Sequence, residues 1–235
     1  MTPSLTLGPG VHQEGPCLLP AGAHPRTALA VDGGRARHLG AHLARLQEGA
    51  DALGQSAPWL PALRLPLEGW LQGTAGEASP IVLRMSLDLE QTRLLVRLEV
   101  MPPTPAPYRL VPLPHPFAGE AQDPLLRHKG LRGPWEAGAL AEARAGHGQD
   151  GLLVWPDGHV AESCIAAVAL ERPGLLLVPP PEGRVASVAE QLDLPSWASA
   201  RNLEIRRAGF DLEAARRGRL WCLNAVRGIW PATVL

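Results

Sequence analysis

Lysine is almost missing from this chain. Of the 22 Lys and Arg residues among 235, one is lysine, Lys129, and the rest are arginine. Cysteine is scarce as well: Cys17, Cys164 and Cys222 are too few and too scattered for a disulfide framework, and no Cys-x-x-Cys pair points to zinc. A reducing, cytoplasmic setting is the expectation. Neither sign of charge prevails, because 22 basic residues face 23 acidic ones for a net charge of −1. That balance implies no basic face for nucleic acid and no acidic tail for a basic partner. No run approaches the roughly 18 uninterrupted apolar residues of a membrane span, and residues 1–10 lack the basic start and apolar stretch of a signal peptide. The one helical His-x-x-x-His pair, His38 and His42, has no carboxylate on its face, so no metal site is expected. What remains is a globular chain, 46% hydrophobic, long enough for one large or two small domains, whose partner is a small molecule or a second copy of itself.

A lone lysine among arginines raises a chemical question. An ε-amine can lose its proton when desolvated and attack a carbonyl, whereas a guanidinium stays charged and is a poor nucleophile. The plain alternative is a chain rich in Ala, Gly, Pro and Arg that retains one lysine by accident, so the neighbours of Lys129 must decide.

Residues 1–25 carry too many Pro and Gly for long elements and read as strand fragments and loops. Residues 26–31 read as a strand and Asp32-Gly33-Gly34 as a turn. Leu39, Leu43, Leu46, Ala50 and Leu53 recur at intervals of four and three, which gives one apolar stripe on a helix, and Gly54 stands where a helix stops. A second helix is expected over 60–72, and two strands over 80–85 and 92–101. Met101-Pro-Pro-Thr-Pro-Ala-Pro107 holds four prolines in seven residues, a stiff extended segment that no helix or central strand tolerates. It divides the chain into a small α/β domain at 1–101, a linker at 102–107 and a larger domain at 108–235. In the larger part a strand over 108–114, a helix over 134–145, and hairpins turning at Pro156-Asp157-Gly158 and Glu171-Arg172-Pro173-Gly174 predict an antiparallel meander with helices between strands. Ser187-Val188-Ala189-Glu190 fits a capping box that opens a short helix. A strand at 202–206, a capped helix at 211–218 and a last strand at 219–223 complete the pattern.

Four separated segments resemble one family, the fold-type IV pyridoxal phosphate enzymes, which include branched-chain and D-amino-acid aminotransferases and 4-amino-4-deoxychorismate lyase. They are His42-Leu43-Ala44-Arg45-Leu46, Arg127-His128-Lys129, Asp157-Gly158-His159-Val160-Ala161-Glu162-Ser163-Cys164 and Cys222-Leu223-Asn224-Ala225. Each is weak alone; together they follow the family's order and cover roughly residues 26–235. The resemblance implies an α/β (α+β) fold of two domains, the larger an antiparallel pseudo-barrel with helices. It implies pyridoxal 5'-phosphate as cofactor, a small-molecule amine as substrate and a homodimer. Lys129 matches the lysine that forms the Schiff base with the cofactor, Glu162 the acid that pairs with the pyridinium nitrogen, and Arg45 the arginine that grips the phosphate. Asn224 and Ala225 match a loop whose backbone reaches that phosphate, and Ser187 and Val188 take the place of another phosphate loop.

The chain departs from the family's pattern in places. Gly130-Leu131-Arg132-Gly133 follows the lysine where an asparagine and often a tyrosine are usual, Ala167 replaces an asparagine, and Glu190 puts a carboxylate beside the second phosphate loop. Ala21-Gly22-Ala23-His24 is all that remains of an aromatic-glycine segment. Within the family, Glu162-Ser163-Cys164-Ile165-Ala166-Ala167 and residues 42–53 look more lyase-like than aminotransferase-like. The expected reaction is therefore elimination of pyruvate from 4-amino-4-deoxychorismate to leave 4-aminobenzoate, a step of folate biosynthesis. Aminotransfer to a keto acid, and a degenerate member with a binding or structural role, stay open as alternatives.

Overall fold

The computed structural model describes residues 3–17, 22–75 and 80–235, so Ala21 of the reduced aromatic-glycine segment lies outside the described residues. The chain is mixed α/β and divides into two compact units, one of Met1–Pro102 with His128–Gly133, the other of Pro103–Arg127 with Pro134–Leu235.

The first unit is a sheet backed by helices. Its strands β1 (Ser4–Gly8), β2 (Val11–Glu14), β3 (Arg26–Asp32), β4 (Arg35–Ala36), β5 (Ile81–Asp88) and β6 (Arg93–Val100) lie in the order β2-β1-β6-β5-β3-β4, and every pair is antiparallel. Along β3 the burial alternates, with Thr27, Leu29 and Val31 turned inward, as the two-residue period of a strand requires. Helix α1 (Leu39–Ala52) packs against β3 through the stripe seen in the sequence, with Leu39, Leu43, Leu46 and Ala50 all buried. Each leucine so buried is worth about 1.5–3 kcal/mol. Gly54, at φ 70°, takes the left-handed turn after the helix that a side chain would resist. The helix expected at 60–72 divides instead into a 3₁₀ turn, Leu60–Leu63, and α2 (Arg64–Ala75). Segment His128–Gly133 follows the proline linker in sequence yet packs in this unit. The reason is backbone pairing: the amides of His24 and Arg26 donate to the carbonyls of Gly130 and Lys129, at 3.2 and 3.1 Å.

The second unit holds strands β7 (Arg109–Pro114), β8 (Asp150–Val154), β9 (Val160–Ser163), β10 (Ala167–Arg172), β11 (Leu175–Val178), β12 (Glu204–Arg207), β13 (Arg219–Asn224) and β14 (Gly228–Val234). Helices α3 (Trp135–Ala145), α4 (Val188–Leu192), α5 (Leu194–Ser199) and α6 (Leu212–Arg217) accompany them. The strand order β12-β11-β10-β13-β14-β7-β8-β9 is not the simple meander expected. Pairs β11·β12, β14·β7 and β7·β8 are parallel, because α3 crosses over between β7 and β8, and α4 with α5 intervenes between β11 and β12. The two expected hairpins, β8·β9 and β10·β11, do form. Strand β14 goes unpredicted because Gly228 and Pro231 read as breakers. The proline is accommodated because β14 pairs with β7 only at Thr233 and Val234, beyond the residue that lacks an N–H.

Both faces of this sheet are covered. Successive β13 residues alternate between them: Leu220 and Cys222 join Leu110, Leu152, Val168 and Leu170 on one side, while Trp221 and Leu223 join Ala167, Leu176 and Val178 on the other. Alpha-helical residues close each layer, Ala215 of α6 on the first and Leu194 and Ala198 of α5 on the second. Such two-sided burial explains why β13 reads as an unbroken apolar run between its ends.

Candidate active site

In the first unit the two matched residues, Arg45 and Lys129, are half-buried. Arg45 lies on α1 one turn beyond His42, so the spacing puts both on one side of the helix. His42 is fully buried, and its Nδ1 shares a 2.6 Å hydrogen bond with the Thr27 hydroxyl on β3. Burial pushes the imidazole down to about pH 3, and the positive charges of Arg45, Lys129 and Arg37 push in the same direction. The ring is therefore neutral inside a cluster of cations. Its Nε2 is buried with no hydrogen bond to any of the described residues. The sequence carries one signal for this pair, a histidine in the middle of the Leu39, Leu43, Leu46 stripe, and none for Thr27.

A pH dependence follows with a definite sign. The unfolded chain binds a proton at His42 below about pH 6.5, and the native chain resists it down to about pH 3. Stability from this group is thus present above pH 6.5 and lost as pH falls towards 3, by up to about 1.4 kcal/mol per pH unit. His115, stacked on Trp155 and lowered by burial to about 4, adds to the loss in the same direction. Urea unfolding at pH 7, 6 and 5 is expected to show this slope, and His42→Asn to flatten it; an equally steep slope in the variant would refute the assignment.

In the second unit Glu162 sits on β9, six per cent exposed, and its Oε1 accepts the Val185 amide at 3.0 Å. Asn224 ends β13 and is occupied by the backbone. Its Nδ2 donates to the Ile165 carbonyl at 3.2 Å, while its Oδ1 accepts the amides of Val226 and Arg227 at 3.0 and 2.8 Å. One side chain thereby ties the turn after β9 to the turn after β13, the latter carrying Ala225. Ser163 braces the first of these turns, its hydroxyl accepting the Ala166 amide at 2.9 Å and donating to the Ala166 carbonyl at 3.1 Å.

Ser187 caps α4 as expected, its hydroxyl accepting the Glu190 amide at 3.3 Å, and Val188 is buried behind it. The Glu190 side chain does not complete the reciprocal half of the capping box. Its carboxylate instead takes a bidentate pair from Arg184, at 2.7 and 2.9 Å, and a further hydrogen bond from Arg207. The carboxylate that sequence places beside the second phosphate loop is thus neutralised by two guanidiniums. Arg184 and Val185 carried no signal in the sequence, since their partners are remote side chains.

The sequence profile of the class IV amino-transferases matches residues 27–235. No curated protein matches the chain by sequence. Among solved structures, a fold IV transaminase from Curtobacterium pusillum is similar at TM-score 0.84, with 18% identity, covering 100% of this chain and 92% of its own. The pyridoxal-phosphate-bound form of a hypothetical aminotransferase from Mycobacterium tuberculosis is similar at TM-score 0.78, with 22% identity over 98% of this chain and 90% of its own. A candidate 4-amino-4-deoxychorismate lyase shares 28% identity over 90% of this chain and 84% of its own, at TM-score 0.74. The profile covers nearly the whole chain and the fold agrees with it, so this protein belongs to the class IV amino-transferase family, whose members are pyridoxal-phosphate-dependent enzymes.

Proposed function

We propose that this chain is a 4-amino-4-deoxychorismate lyase, eliminating pyruvate to leave 4-aminobenzoate. The observation that carries the reading is the turn sequence Glu162-Ser163-Cys164-Ile165-Ala166-Ala167, supported by the 28% identity to a candidate lyase. Working as a cytoplasmic homodimer on a small-molecule amine is part of the same reading.

The donor chemistry of the chain fits the cofactor. Lys129 is the one side-chain amine able to bond to an aldehyde. Arg45 offers a guanidinium for a phosphate, in a cluster of cations whose field is strong enough to act on His42. Glu162 offers a buried carboxylate for a protonated ring nitrogen. Backbone amides near Ser187, Val188, Asn224 and Ala225 would complete the phosphate's hydrogen bonds, with Asn224 holding its loop in shape through its own side chain.

Pyridoxal phosphate, when bound, supplies an electron sink for charge developing on the substrate. Lys129 would hold the cofactor through its Nζ, and the same amine would move the proton that the departure of pyruvate requires. Glu162 would keep the ring nitrogen protonated, and Arg45 would anchor the phosphate.

Aminotransfer to a keto acid, as in branched-chain or D-amino-acid aminotransferases, is the second reading, favoured by the similarity to a fold IV transaminase. Purified enzyme given aminodeoxychorismate is expected to release pyruvate and 4-aminobenzoate in equal amounts, while sedimentation gives twice the chain mass. Amino-group transfer from amino acids without pyruvate release would reject the lyase.

A further inference from the structure

The loop between β11 and α4 is pinned more heavily than a surface connection needs. Arg184, two per cent exposed, donates from Nε to the Pro180 carbonyl and from Nη2 to the Pro179 carbonyl, both at 2.8 Å, in addition to its bidentate pair with Glu190. Gly183, at φ 69°, lies so close under Trp155 that an added Cβ would stand 2.6 Å from the ring. The Ala186 amide donates to the Arg127 carbonyl at 3.0 Å. Between these anchors is Val185, whose amide is the one that meets Glu162.

We propose that Arg184 is a positioning residue which, by gripping Glu190 and the carbonyls of Pro179 and Pro180, holds the Val185 N–H on the Glu162 carboxylate and so orients that acid for a cationic ring nitrogen. The last clause rests on the role given to Glu162 above. The physical reasoning is direct. A buried ion pair that also saturates backbone carbonyls makes a loop rigid, because moving it would strand a charge away from water. An amide donated to a carboxylate favours its ionised form and leaves its second oxygen aimed in one direction. Glu190 and Arg207 serve the same end, because the glutamate takes both guanidiniums. In this chain a salt bridge between the loop and α4 thus governs a carboxylate through an amide 23 residues from it in sequence.

Two variants test the assignment. Arg184→Lys keeps the charge and loses the fork; Arg184→Met with Glu190→Leu removes the pair together, so that no buried charge is stranded and folding is preserved. The first readout uses the full-length protein without added cofactor. Hydrogen exchange at the Val185 amide is expected to quicken at least about tenfold in both variants, the equivalent of one charge-assisted hydrogen bond weakened, while amides of β13 keep their wild-type rates. The second readout is cofactor affinity followed by absorbance. Arg184→Lys is expected to weaken pyridoxal phosphate binding about tenfold in the wild-type background and to add nothing in a Glu162→Gln background, since its effect passes through that acid. Unchanged Val185 exchange in both variants, or an equal loss of affinity whether Glu162 is present or not, would overturn the proposal and leave Arg184 a purely structural residue. A wild-type protein that takes up no cofactor would instead overturn the role given to Glu162, and Val185 exchange would then decide the loop claim by itself.

Discussion

Replacing Lys129 by arginine is expected to abolish turnover, by about 10³-fold or more, with little loss of stability. The substitution keeps a positive charge beside His42 and Arg45, so the electrostatics of the first unit change little. What it removes is an amine that can bond to the cofactor and move a proton, and proton transfer by a positioned group is itself worth about 10²–10⁴-fold. The segment's backbone is held by the Arg26 amide on the Lys129 carbonyl, which any side chain at 129 preserves. Borohydride treatment of the wild type with pyridoxal phosphate is expected to leave a pyridoxyl group on the peptide containing residue 129, and on no peptide of Lys129→Arg. Pyruvate release by the variant at a wild-type rate, or label elsewhere in the wild type, would remove Lys129 from the mechanism.

Gly130→Ala is expected to be the most damaging single methyl group in the described residues. Gly130 has φ 94°, where L side chains are strained, and a Cβ there would lie 2.2 Å from the His24 carbonyl oxygen and 2.8 Å from Cγ of Arg26. Relief requires breaking the paired hydrogen bonds that join His24 and Arg26 to Gly130 and Lys129. Together the strained backbone and the lost pairing should cost about 3–5 kcal/mol. Because the same movement displaces Lys129, cofactor binding should fall along with stability. Gly133→Ala is the control, since φ is 80° there but the added Cβ meets nothing within 4 Å. Denaturant unfolding of the two variants separates collision from backbone strain: comparable losses would mean that the contact with residues 24–26 is not what demands glycine at 130.

The departures from the family's pattern look different once the tertiary contacts are known. Gly130, in the segment that departs from the pattern, is the condition for a close approach of two backbones, and Glu190 is the acceptor at the centre of a two-arginine network. Neither could be recognised from neighbours in sequence, because the atoms that give them meaning are the carbonyl of His24 and the guanidiniums of Arg184 and Arg207. Helix α1 shows the opposite case. Its stripe, its extent and its glycine stop were legible because a 3.6-residue period and a left-handed glycine are local properties. The meander misreading of the second unit falls between the two: the strands were mostly evident, but their order depends on which edges meet after α3 has crossed over.

By itself, then, the sequence determined where most helices, strands and tight turns form, that a single amine exists in the chain, and that four motifs occur in a family's order. Those follow from periodicity, turn chemistry and residue identity, which act over a few residues. Only the tertiary structure decided that β10 lies beside β13, that Lys129 is carried on a segment paired to residues 24–26, that His42 is kept neutral among cations, and that the Val185 amide finds Glu162. The three pairings satisfy buried donors and acceptors across a long stretch of chain, the neutrality of His42 follows from its burial, and burial of either kind exists only after the chain has closed on itself.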